Sequence, residues 1–131
     1  MTRRRAVLLA VLAAAGALSA VGLSPGAAPA HSLLVRSEPG RNATVTRAPE
    51  RVRLWFGERI EPAYAKLSVW SEDGKQVDAG DAAVDSNDQA LLSVSTPNLG
   101  PGRYTARFRV LSVDGHVVES GFVFTVKAAA R

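Results

Sequence analysis

The sequence contains no cysteine, one methionine and two histidines. Without cysteine there is no disulfide, no thiolate nucleophile and no thiolate metal ligand. Small exported domains often rest on disulfides; this one needs an ordinary apolar core, which about 100 residues can supply. The only methionine is Met1, so soft thioether metal ligands are missing as well. No stretch has the 3.6-residue period of an amphipathic helix, and there is no internal repeat or interdomain linker. After residue 30 no apolar run approaches the ~20 residues of a membrane span.

Residues 1–30 are of another character. "TRRR" gives a positive start, Ala6 to Leu23 is almost wholly apolar, and "SPGAAPA" ends with Ala28 and Ala30 in the A-x-A positions. This is the three-part layout of a secretory signal peptide cut after Ala30. The paired arginines leave Sec and twin-arginine export both open. Cleavage removes Arg3, Arg4 and Arg5 and takes the net charge from +4 to +1. The expected mature form is residues 31–131, periplasmic or extracellular and not membrane-spanning, with no basic patch suggesting nucleic acid.

The mature part alternates with period two. "RVRLWF" (51–56), "RYTARFRV" (103–110) and "FVFTV" (122–126) are the clearest runs, with "KLSVW" (66–70) and "LLSVS" (91–95) shorter. Turn signals separate them, among them "EDGK", "DSND", "NLGPG" and "DG". The pattern predicts an all-β domain of about seven antiparallel strands, a Greek-key sandwich or barrel of immunoglobulin-like or cupredoxin-like type. "LGPGRY" predicts a tyrosine corner at Tyr104. The acidic stretch 78–88 does not have EF-hand spacing and reads as a solvated hairpin loop. Trp55, on a strand face with Arg51 and Arg53, is expected to cover core at the rim.

The two histidines carry the chemistry. Asp114 and His116 are two apart, which in extended chain points both to one side. Taken alone, "DG" reads as a hairpin turn with an exposed histidine. His31 alters this, because cleavage after Ala30 makes it the N-terminal residue. Its α-amine and Nδ1 close a six-membered chelate ring. With His116 and a carboxylate oxygen of Asp114 the set is three nitrogens and one oxygen, which suits square-planar Cu(II). Zinc can use the same donors in a tetrahedron.

These residues resemble the CopC family of periplasmic copper-resistance proteins. The family's "AH-x-x-L-x-x-S-x-P" start is matched by Ala30, His31, Leu34, Ser37 and Pro39. Its "F-S-E-x-x-E-P" is matched by "FGERIEP" (56–62), its "PG-x-Y" by "PGRY" (101–104), and its end by "SVDGHVVESGFVFTV" (112–126). The resemblance implies a β-barrel or sandwich that binds Cu(II) through His31, Asp114 and His116. Glu58 matches an acidic residue close to the site in some members, beside the ligands rather than among them. Val117 stands where the family has proline, and Gly121 sits one position late. The methionine-rich Cu(I) stretch of some members is absent. The chain stops soon after Val126, so the membrane domain fused to some relatives is not expected here. A membrane copper-transport partner would then be a separate protein.

The expected function is a Cu(II) carrier or buffer in copper homeostasis or resistance, not an enzyme. Two alternatives differ in class. One is a metal-free immunoglobulin-like interaction module. The other is a copper-dependent oxidative enzyme, disfavoured because a carboxylate donor suits the harder ion and occupies a position oxygen would need.

Overall fold

The computed structural model describes residues 33–128, so the expected leader, its cleavage site and His31 lie outside the described residues. Eight strands form: β1 (Leu34–Glu38), β2 (Thr44–Val45), β3 (Arg51–Phe56), β4 (Lys66–Ser71), β5 (Ala83–Val84), β6 (Leu91–Ser95), β7 (Gly102–Leu111) and β8 (Val117–Val126). A single 3-10 turn, Pro62–Tyr64, precedes β4. One sheet has the order β1-β3-β6-β5, the other β2-β8-β7-β4. The fold is thus a two-sheet sandwich, which decides between the two architectures expected.

Period two builds the core. Val52, Leu54 and Phe56 on β3, Leu92 and Val94 on β6, and Leu67 and Val69 on β4 are buried between the sheets. Tyr104, Ala106, Phe108 and Val110 on β7 meet them, with Val118, Phe122, Phe124 and Val126 on β8. Each large apolar side chain removed from water contributes about 1.5–3 kcal/mol. Phe56 and Phe108 meet edge to face at 5.6 Å between centroids and join the two sheets. The tyrosine corner is present: Tyr104 donates its hydroxyl proton to the Gly100 carbonyl at 2.6 Å and stacks on Phe124.

Several expectations need correction. β2 pairs with β8 in parallel, so the sandwich is not wholly antiparallel. β8 starts at Val117, five residues before the alternating run shows it. Trp55 does not cover core. It alternates with Leu54 and Phe56, lies on the outer side of its sheet, and has the Arg36 guanidinium 4.6 Å from its ring centroid. The acidic stretch is more than a solvated loop. Asp78 accepts the Val69 amide at 2.8 Å, and Asp81 accepts the Ser95 amide at 2.8 Å and its hydroxyl at 2.6 Å. Asp85 and Asp88 accept amides within their own turns.

Candidate metal centre

The long hairpin β7–β8 carries its turn at residues 112–116. The Ser112 amide bonds the His116 carbonyl at 2.9 Å, and the Gly115 amide bonds the Ser112 carbonyl at 2.9 Å. Gly115 has φ +92, the left-handed conformation that closes such a three-residue loop and that other residues resist. Asp114 and His116 therefore meet because the chain turns, not because it is extended. His116 Nδ1 lies 2.9 Å from Asp114 Oδ1. A carboxylate only accepts, so Nδ1 donates and the Nε2 lone pair is left for a metal. The imidazole side chain is 76% exposed, which leaves Nε2 open to solvent.

Ser112 is the residue sequence reasoning missed. It is 1% exposed, and its hydroxyl donates to Asp114 Oδ1 while accepting the His116 amide at 3.2 Å. Its signal was visible: Val110 points inward, and two residues on period two asks for an apolar side chain, yet a hydroxyl stands there. That bond, and less strongly contacts with Glu58 and His116, hold the Asp114 carboxyl down at about 2, against the opposing effect of lost solvation. The carboxylate is therefore charged over all ordinary pH.

Loop 57–61 leans on the same turn. The Val113 amide bonds the Arg59 carbonyl at 3.0 Å, the Glu61 amide bonds the Leu111 carbonyl at 2.8 Å, and buried Ile60 pairs with Ser112. This sets Glu58 beside Asp114. Competition with Asp114 for one proton raises the Glu58 pKa, burial raises it further, and His116 opposes the rise. Among the described residues no three His, Asp or Glu side chains form a metal-binding group. Asp114 and His116 are brought together with Glu58 alongside, while His31 is outside the described residues. Leu33, however, is described: its carbonyl accepts the Gly57 amide at 2.7 Å. The N-terminal end of the described chain thus reaches the loop that holds Glu58.

A β-sandwich that sets an imidazole and an ionised carboxylate side by side on an exposed turn is a domain built to present borderline-to-hard ligands to solvent. The CopC domain model matches residues 34–127, and the chain belongs to the CopC family of copper resistance proteins. Proteins of this family are periplasmic copper-binding carriers, not enzymes. Copper resistance protein C of Xanthomonas campestris pv. juglandis is 33% identical over 114 residues, covering 82% of this chain and 89% of that protein. Protein YobA of Escherichia coli K12 is 33% identical over 99 residues, 75% of this chain and 80% of that protein. The crystal structure of CopC from Methylosinus trichosporium OB3b superposes with a TM-score of 0.70 at 38% identity, covering 77% of this chain and 98% of that one.

Proposed function

We propose that the processed chain, starting at His31, carries or buffers Cu(II) in the periplasm and holds it through His31, Asp114 and His116. The observation that carries this is the meeting of three segments: Leu33 on Gly57, Glu58 beside Asp114, and Asp114 on His116. The reading requires His31 to reach the turn, with only the two residue steps that separate it from Leu33, about 7 Å when extended, to do so. Copper is the cargo. The donors suit its divalent form, with imidazole nitrogen and carboxylate oxygen and no sulfur.

The chain's own residues prepare the site. Ser112 keeps Asp114 ionised, and the Asp114–His116 pair holds the two ligands together in the empty site; to share one ion with Asp114 the exposed His116 ring turns out of its bond with Oδ1. The Ser112 hydroxyl, the His116 amide and the His116 ring all address Oδ1, which leaves Oδ2 outside that network for direct coordination. Acidification releases copper through protonation of the nitrogen donors, since the carboxylate resists protons down to about 2.

The test is a Cu(II) competition titration on two forms, one starting at His31 and one with an extra residue before it. The extra residue converts the α-amine to an amide without touching any side chain. The processed form is expected to bind at least about a hundredfold more tightly. Equal affinity removes the N-terminal ligand, and an exported chain whose mass places its start elsewhere does the same.

A further inference from the structure

We propose that the outer face of β4, β7 and β8, next to the aspartate–histidine turn, is the docking surface for a copper-exchanging protein that presents an acidic surface. The proposal rests on the metal-binding reading above.

Two observations meet where this face reaches the turn. The first is apolar. The large hydrophobic side chains left exposed among the described residues are Val35, Tyr64, Val113 and Val117, at 65%, 62%, 49% and 57%. Single exposed hydrophobics are ordinary, but these are not scattered. Val113 and Val117 bracket Asp114 and His116 in the chain, with Val117 opposite Leu111. Tyr64 ends the 3-10 turn whose preceding residue, Glu61, bonds Leu111. Val35 reaches within 3.6 Å of where a side chain on Gly57 would begin, one residue from Glu58. Val113, Val117 and Tyr64 thus lie at the turn end of the β7–β8 hairpin and the entry to β4, while Val35 belongs to β1 of the other sheet, beside loop 57–61.

The second is charge. Lys66, Arg103, Arg107 and Arg109 point outward from β4 and β7, and pairing sets Lys66 opposite Arg109. The outward positions of these three strands hold one carboxylate, Glu119 opposite Arg109. Among the described residues none of the four cations has a carboxylate within ion-pair distance. Between Trp70, Arg107 and Gly121 the face is hollowed into an open groove of about 630 Å³. Gly121 has to stay bare, because a Cβ there would sit 2.7 Å from the Ala106 carbonyl oxygen.

Unpaired cations beside an apolar rim select the occupant. The cations steer and orient an acidic surface, and the rim excludes water where the two sets of ligands must meet. A lipid surface would satisfy the cations but offers no ligand to receive copper, and the apolar residues cluster at the metal turn instead of spreading over the face.

The probes are two synthetic peptides with the same Gly-Gly-His copper-binding head and a pair of leucines, one continuing into a run of glutamates and one into a run of lysines. Each is titrated into the copper-free processed protein and followed by amide NMR. The glutamate peptide should shift Lys66, Arg107, Arg109 and Val117, and its affinity should fall as salt rises. Combined Arg107→Glu and Arg109→Glu should weaken it about tenfold or more while Cu(II) affinity stays unchanged. Arg107→Gln with Arg109→Gln should give an intermediate loss, which guards against a charge-reversal variant that folds poorly. The proposal is overturned if both peptides bind alike, if charge reversal leaves the glutamate peptide unaffected, or if phosphatidylglycerol vesicles bind this face and the peptide does not. Peptide binding that survives in a protein failing to take up Cu(II) supports the surface and defeats the metal reading.

Discussion

The loop 78–88 and the turn 112–116 are both built around aspartates, and they spend them in opposite directions. In the loop each carboxylate faces the protein. Asp78 takes the amide of Val69, a residue with no exposed surface, and Asp81 holds the amide and hydroxyl of Ser95. In the turn, the bonds to Asp114 come from a buried hydroxyl behind it and a ring and amide beside it, all onto one oxygen. Four aspartates thus serve as staples for backbone, and the fifth is held still with a donor atom to spare. Counting carboxylates would choose the wrong loop as the metal site. What separates the two is whether the donors that fix the carboxylate use it up.

That contrast is broken most directly at His116. His116→Ala is expected to lower Cu(II) affinity about a hundredfold, with the melting temperature little changed because the ring is exposed. Copper titration and thermal unfolding of the one variant check both halves. Ser112→Ala should cost about tenfold in copper affinity, since it frees the carboxylate that orients the ring. It should also raise the Asp114 pKa. A carboxyl depressed in the folded state lends stability above its unfolded pKa and loses it as pH falls toward the folded value, about 2 here. In the variant Asp114 should take up its proton at higher pH, as read from its side-chain carbon shift in NMR, and the stability it lends above its unfolded pKa should be smaller and be lost completely at a higher pH.

The loop should respond in the other currency. Asp78→Ala strands the buried Val69 amide and should destabilise by about 1–2 kcal/mol in urea unfolding, with Cu(II) affinity unchanged. A loss of copper binding there would merge the two regions that the structure keeps apart. Glu58→Gln is expected to do least. It removes a competitor for one proton and should move copper affinity less than about threefold in the same titration.

Much of this was written in the sequence. The strong alternation in 51–56 and 103–110 and the turn signals between runs gave the core strands, because period two leaves its mark wherever one face is buried and the other wet. β2 and β5 left no mark, being two residues each and held by pairing rather than by pattern. At Trp55 aromatic size argues for core, while parity with Arg51 and Arg53 puts the side chain outside, and parity wins. Asp114 and His116 were legible through their spacing and the family motif. Ser112 was not, since a serine next to a turn is unremarkable until its burial is known. The cationic face was hidden for a different reason. Arg103, Arg107 and Arg109 are spread along seven residues, and Lys66 joins them only when β4 pairs with β7.

Leu33 leads into β1 of one sheet, and the turn 112–116 caps two strands of the other. On the proposed ligand set, with His31 on one side and Asp114 and His116 on the other, the metal would be a clasp between the two sheets. The loaded chain then gains resistance to opening in proportion to the logarithm of copper over its dissociation constant. β1 is an edge strand paired with β3 alone, so the clasp would add a second hold on a strand that pairing secures on one side only. Proteases that act on opened chains would then meet the empty form more often than the full one, and the lifetime of the protein itself would become a record of how much copper surrounds it.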